Sequence, residues 1–298
     1  MALTITSSVR LSTSYLIPQL GFGVYQNPDA KRSCLEAFKA GYRHVDSAQG
    51  YKNEELVGQA VRESGLKRED VFITTKCDSH TSTHGYDTTL KAVDASLASF
   101  GFEYIDLFLV HDPLAGKDRR LGAYKALLEA KAAGKIRSVG VSNFNVHHLE
   151  EIKEAGYETP SVNQIELHPF CQQKPIAEYC RKNGIILEAY CPIIRGQMDH
   201  EVITKLATKA CTVQSRSGTH PPSVVSSERV RLLNKIFKIS AEESANSYVP
   251  LPKSATPSRI HSNANLYDFQ LDNEEMAALD ALDRGTAGSI SWNPVNAP

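Results

Sequence analysis

Along this chain, short apolar runs alternate with stretches in which apolar residues recur at three- and four-residue spacing. The first pattern predicts buried strands and the second amphipathic helices. The residues around Val9 and Leu11, ahead of Ile17 and Pro18, predict a short hairpin able to cover one end of a core. A strand follows at residues 20–25, LGFGVY, with two glycines where backbone passes close to a neighbour. Further strands are predicted at 42–46, 71–76, 104–111, 136–142, 161–166 and 184–190. The last, at 248–252, contains two prolines and is weak as a central strand by itself.

Helical patterns fill the intervals. The first opens after Asn27-Pro28-Asp29 and stops at Gly41. Asn53 is placed to cap the second, which carries Leu56, Val57, Ala60 and Val61 on one face. Leu90, Val93 and Leu97 mark the buried face of the third, and Tyr124, Leu127 and Leu128 that of the fourth. Asn145 opens a fifth with Leu149 and Ile152 inward, and Pro175 fits the first turn of a sixth.

Eight strands, each trailed by a helix, predict an α/β fold closed as a (β/α)8 TIM barrel, with an N-terminal β-hairpin. An open doubly wound sheet is the alternative. It is disfavoured because the first strand-to-helix turn, GFGVYQ, lacks the GxGxxG phosphate turn. No compositional break marks a linker, so residues 1–298 read as one domain.

Composition narrows the partners. The formal net charge is -1, from 33 basic and 34 acidic side chains, which offers no field for nucleic acid or an anionic membrane. An anionic ligand must be held by a local cluster. The N-terminus lacks the long apolar core of a signal peptide or anchor, and no run reaches the roughly 18 apolar residues of a membrane helix. Six cysteines without a CxxC pair read as reduced thiols of a cytoplasmic protein, with no metal site.

In a barrel, the C-terminal strand ends converge on one face, where chemistry sits. The polar residues at those ends are Asp46, Lys76, His111, Ser142, Asn143, Gln164 and Tyr190, with Tyr51 one loop beyond Asp46. Any one of them alone reads as a core or strand-end residue; together on one rim they form a candidate site.

These residues sit in segments that resemble the aldo-keto reductases, a microbial or fungal-like member in particular. The matching segments are LGFGVY, GYRHVDSAQGYKNE, VFITTK, YIDLFLVHDP, GKIRSVGVSNF, VNQIELHP, EAYCPI and VPLPKSATPSRI, in the family's order. The resemblance implies NADPH-dependent reduction of aldehydes and ketones, with Asp46, Tyr51, Lys76 and His111 as the catalytic tetrad. Hydride reduction builds negative charge on the carbonyl oxygen, so the site must polarise that oxygen and deliver a proton. Tyr51 is the expected general acid, its pKa lowered by the Lys76 ammonium, with Asp46 holding Lys76 and His111 orienting the carbonyl.

Hydride needs a carrier, implied here to be NADPH. Ser142, Asn143 and Gln164 are expected on its carboxamide and Tyr190 on the nicotinamide ring. Gly23, Val24, Tyr25, Asp46, Cys191 and Ile193 are further expected contacts. Lys253, Ser254 and Arg259, at a helix start, suit a ribose 2′-phosphate, and Asn263 the adenine. Alternatives to the reductase are a cofactor-binding regulatory subunit and a catalytically impaired variant. Monomer is the family tendency.

Two departures from the family pattern bear on function. Asp112 stands after strand four where the family frequently has tryptophan, and Tyr25 stands where many members have it. A more polar, open pocket is therefore expected, formed by Tyr25, His111, Asp112 and Trp292, with a tail at 283–298 folded over the rim. Residues 210–247 do not follow the family's seventh-helix pattern. They are either an insertion on the outer wall or a translated intron.

Overall fold

The computed structural model describes residues 4–78, 84–214, 248–267 and 271–298. Strands β1 (Ser8–Arg10) and β2 (Leu16–Pro18) form the expected hairpin, with Val9 opposite Ile17. Eight parallel strands follow in chain order: β3 (Phe22–Gly23), β4 (His44–Asp46), β5 (Phe72–Lys76), β6 (Ile105–Val110), β7 (Ile136–Ser142), β8 (Val162–Glu166), β9 (Ile186–Tyr190) and β10 (Tyr248–Pro250). Between them run α1 (Ala30–Lys39), α2 (Glu54–Glu63), α3 (Tyr86–Phe100), α4 (Lys117–Ala132), α5 (Val146–Glu154), α6 (Lys174–Lys182) and α7 (Glu201–Gln214). Helices α8 (Pro257–Ala264) and α9 (Asn273–Asp280) come after the last strand. This is the (β/α)8 fold. Beyond the end of α7, residues 215–247 of the atypical stretch lie outside the described residues.

The prolines of the last strand make sense at the barrel's seam. Gly21 and Gly23 donate backbone N–H to the carbonyls of Pro250 and Pro252, at 3.0 and 3.1 Å, joining the first strand to the last. A residue's N–H and C=O leave a strand on the same edge, so the two missing donors both face this seam. On the other edge, Leu251 N–H bonds Ala189 O of β9 at 3.0 Å and that pairing is intact. Gly21 is required for close approach, since a Cβ there would lie 2.4 Å from Leu251 Cδ2 and 2.7 Å from the His44 ring.

Two-residue alternation splits the strands between two cores. Phe72, Leu107, Leu109, Val162, Ile186, Val249 and Leu251 fill the barrel, with Leu11 and Ile17 of the hairpin segment packed among them. Hydrogen bonds from Ser12 to Ser161 and from Thr13 to Ser138, at 3.0 and 2.7 Å, fasten the hairpin there. Their neighbours Val45, Ile73, Phe108 and Val110 join the helix faces outside, with Phe38, Val57 and Tyr124. Each such large apolar side chain contributes about 1.5–3 kcal/mol by leaving water.

Two local expectations need correction. The buried stripe of α3 is Thr89, Val93, Ser96 and Phe100, whereas Leu90 and Leu97 are only half-buried at its flanks. Asn53 begins α2 without capping it. Its side chain turns inward, accepting from Ser47 Oγ and donating to Val24 O, each at 2.8 Å. It thereby ties the first strand to the loop after β4.

Candidate active site

Asp46, at the end of β4, and Lys76, at the end of β5, point into the barrel mouth and are nearly or fully buried. Lys76 Nζ lies 2.8 Å from both Asp46 oxygens, 2.8 Å from Ser47 O and 3.4 Å from the Tyr51 hydroxyl. Burial lowers the lysine pKa, but Asp46 and the Tyr51 oxygen outweigh this and hold it above the ordinary value.

Tyr51 ends a short 3-10 turn, Gln49–Tyr51, fixed from behind. Gln49 Nε2 donates to Ala92 O and Ser96 Oγ of α3, at 2.7 and 3.0 Å. Glu54, at the start of α2, accepts from Thr75 and Ser96. The expected lowering of the phenol pKa does not prevail. Burial pushes Tyr51 up to about 12, the Lys76 charge offsetting only part of that rise. The phenol is thus a protonated donor at neutral pH.

His111 follows β6, its ring 5.9 Å from that of Tyr51. Its Nδ1 lies 3.2 Å from the Cys77 carbonyl, which can only accept, so Nδ1 carries the hydrogen. Burial, then the Lys76 charge, push its pKa down to about 3, leaving a neutral ring whose Nε2 is an acceptor. In this orientation His111 cannot donate through Nε2 to a carbonyl oxygen; that bond requires the ring to turn over.

Ser142, Asn143 and Gln164 lie at adjoining strand ends, Ser142 paired in register with Gln164. Gln164 Nε2 donates to Asp46 Oδ2 at 2.8 Å and to Glu188 Oε2 at 2.6 Å. Asn143 Nδ2 donates to His111 O and Ser142 Oγ, both at 3.1 Å. With these donors spent inside the protein, the amides of Asn143 and Gln164 can offer a ligand only their oxygens. Acceptors are what the NH2 of a nicotinamide carboxamide needs. Asn143 adopts φ +62, a left-handed conformation that asparagine tolerates better than most residues.

Tyr190 ends β9, and its hydroxyl lies 2.8 Å from both Asn143 Oδ1 and the Trp292 carbonyl. Cys191, at φ +53, and Ile193 continue the chain from it. Gly23 and Val24 lie on the neighbouring rim, Gly23 with room for only a close Cβ beside Leu251 O. The last group stands around the start of α8. Lys253 and Arg259 are exposed, and no carboxylate pairs with either among the described residues. Ser254 is buried with its Oγ on Thr256 N–H, and Arg259 reaches Thr256 Oγ1 at 2.7 Å. Asn263 is buried, and its Oδ1 has no donor among the described residues, as suits a site for an amino group such as that of adenine.

The expected pocket wall is different. Asp112 is fully buried and accepts from Leu114 N–H at 2.8 Å, so it shapes a turn and does not line an open pocket. Two aromatic rings stand at the mouth. Trp292 stands edge-on to His111 at 6.3 Å, and Tyr25 lies 4.9 Å from Tyr51. The tail brings a ring to the mouth, whereas the residue that follows His111 after β6 is Asp112.

Glu188 escaped the sequence reading. It is fully buried inside the barrel, 3.5 Å from His44 Nε2, and burial and the Asp46 charge push its pKa up to about 8. Alternation within EAY puts it on the same face as Tyr190, and a carboxylate at an inward position was the available signal.

At the C-terminal mouth of a parallel barrel, these strand ends bring a buried lysine between a carboxylate and a protonated phenol. A model of the aldo/keto reductase family matches residues 18–284. The chain belongs to that family and is an NAD(P)H-dependent oxidoreductase. It is 38% identical over 288 residues to glyoxal reductase of Bacillus subtilis, covering 95% of each chain. Among solved structures it is similar to an aldo/keto reductase from Brucella melitensis, with a TM-score of 0.81 and 37% identity over 93% of this chain and 100% of that one. It is also similar to a Bombyx mori aldo-keto reductase in complex with NADP, with a TM-score of 0.82 and 29% identity over 100% and 99% of the two chains.

Proposed function

We propose that this enzyme reduces small aldehydes, ketones and dicarbonyls to alcohols with NADPH, and that Tyr51 is the general acid. The observation that carries the reading is the fully buried Lys76, bonded to both oxygens of Asp46 and 3.4 Å from the Tyr51 hydroxyl. Bound NADPH supplies the hydride, which no side chain can. Burial keeps the Tyr51 proton in place until charge develops on the substrate oxygen. As that oxygen takes the proton, the phenolate left behind forms beside the Lys76 ammonium, which Asp46 keeps charged. The bare Nε2 of His111 accepts from a substrate N–H or O–H beside the carbonyl, or donates to the carbonyl itself after the ring turns.

The oxygens of Asn143 and Gln164 hold the carboxamide, with Ser142 supporting Asn143, and Tyr190 faces the ring. Gly23, Val24, Tyr25, Cys191 and Ile193 border the cofactor; Lys253, Ser254 and Arg259 take its 2′-phosphate, and Asn263 its adenine. Similarity to a glyoxal reductase favours dicarbonyls among the substrates. A cytoplasmic monomer fits the free thiols of Cys34, Cys77, Cys171, Cys180 and Cys191. Among the described residues, no helix is long and apolar enough to cross a membrane.

The test is NADPH consumption by the purified protein with a panel of carbonyl compounds. Turnover of glyoxal and aryl aldehydes is expected. Tight NADPH binding with no turnover of any carbonyl would defeat the proposal in favour of a regulatory subunit.

A further inference from the structure

Glu166 ends β8 fully buried, yet takes no part in the chemistry above. Its Oε2 accepts from Ser289 Oγ at 2.6 Å, and its Oε1 accepts from Ile290 N–H at 2.7 Å and from His168 Nε2 at 2.9 Å. Burial would raise its pKa, but these three donors hold it below the usual carboxylate range. Just upstream, the tail presses on Phe170. Arg284 N–H bonds Phe170 O at 2.9 Å, and Gly288 lies so close that a Cβ there would fall 1.7 Å from the same oxygen. Two residues beyond Ile290 stands Trp292, half-exposed, its indole edge-on to His111.

We propose that Glu166 is a specificity-determining residue, latching the tail through Ser289 and Ile290 so that Trp292 forms one wall of the substrate site. Two other ties act near Trp292: the exposed Arg195 donates from Nη2 to Ser291 Oγ at 2.9 Å, and Tyr190 reaches the Trp292 carbonyl. The single hydrogen of the Tyr190 hydroxyl is divided between Asn143 Oδ1 and the Trp292 carbonyl, and that of Ser289 between Glu166 Oε2 and Ser291 O, but the Ile290 N–H bond ends undivided on the buried carboxylate. Past Trp292 the chain is held again, by the buried side chain of Val295 and by the Ala297 and Pro298 carbonyls, which accept from His148 and Arg120. Releasing Ser289 and Ile290 therefore frees the Trp292 segment on one side only and lets the indole shift against His111. The wall matters to carbonyl compounds carrying an aromatic ring, which can pack on the indole. It matters little to glyoxal, which is too small to reach it while its carbonyl is at Tyr51. The substrate preference rests on the reductase reading; the latch itself does not.

Trp292 is the sole tryptophan, so its emission reports the tail directly. The experiment compares wild type with Glu166→Gln, Ser289→Ala and Trp292→Leu. Glu166→Gln replaces one acceptor oxygen by an NH2 that opposes the donors, and Ser289→Ala removes one donor from the tail without touching the barrel. In both latch variants acrylamide quenching of Trp292 is expected to rise. KM for an aryl aldehyde is expected to rise about three- to tenfold, the loss of an aromatic contact. KM for glyoxal stays within about twofold, because no such contact is lost. Trp292→Leu is expected to show the same rise in KM for the aryl aldehyde.

Unchanged quenching in both latch variants overturns the latch and leaves the activity reading standing. Equal KM increases for both substrates overturn the specificity role. Wild type turning over neither substrate sinks the activity reading and the preference with it, and quenching then judges the latch alone. If Glu166→Gln fails to fold, Ser289→Ala carries the same comparison.

Discussion

Replacing Asp46 by asparagine isolates the electrostatic heart of the site. The substitution keeps the side chain's size and removes the carboxylate that lies 2.8 Å from Lys76 Nζ through both oxygens. Lys76 is fully buried, and its remaining contacts, Ser47 O and the Tyr51 hydroxyl, carry no formal charge. Breaking a buried pair on one side typically costs about 3–5 kcal/mol, because it strands the other charge. For 298 residues the entropy of unfolding is about 0.6 kcal/mol/K, so the melting midpoint should fall by roughly 5–8 °C at pH 7.

The sign of the pH dependence makes this test specific. In the wild type, the raised Lys76 pKa gives stability that is present below the unfolded value and lost as pH rises through the folded one. In the variant, burial lowers the Lys76 pKa against the Glu188 charge alone, and wherever the folded value lies below the unfolded one stability rises with pH. The gap between the two proteins therefore narrows as pH climbs toward 10. Thermal melts followed by circular dichroism at pH 7 and pH 9.5 measure it. A variant melting with the wild type at both pH values, or a gap that widens on the alkaline side, would refute the reasoning.

Glu188→Gln tests the second buried carboxylate. With a folded pKa of about 8 against 4.5 unfolded, Glu188 keeps its proton in the folded state only, so wild-type stability falls as pH rises through that window. The variant's urea midpoint should gain on wild type between pH 5 and pH 8; an equal difference at both would contradict this. Gly21→Ala forces a methyl group to 2.4 Å from Leu251 Cδ2 at the seam and should cost about 1–3 kcal/mol in urea unfolding. Lys253→Ala and Arg259→Ala should each raise the Kd for NADPH about tenfold, the loss of one charge-assisted hydrogen bond. NADH binding should hardly change, and equal losses for both cofactors would remove the 2′-phosphate role. Sequencing mature transcript across codons 210–247 settles that stretch: an uninterrupted reading frame excludes the translated intron.

Periodicity made the strands and helices legible because most of them separate an inner from an outer face. The seam was less legible: 248–252 reads as a poor strand until its two prolines are seen to face a partner that donates to their carbonyls. Site residue types were readable from strand ends, but their electrostatics were not. Proximity to Lys76 argues for a lowered Tyr51 pKa, and only the depth of burial reverses the sign. Asp112 illustrates the other gap, since its neighbours in sequence do not reveal that it turns inward to bond Leu114 N–H. Trp292 sits 181 positions after His111, and the contact between them depends on how the tail is fastened.

The central claim is that Tyr51 delivers the proton, and Tyr51→Phe tests it by removing one oxygen from the site. With NADPH and glyoxal, kcat/KM should fall at least about a hundredfold, the usual contribution of a positioned general acid. NADPH affinity should be unchanged. A variant that keeps NADPH binding and reduces glyoxal within about threefold of the wild-type rate would contradict the assignment.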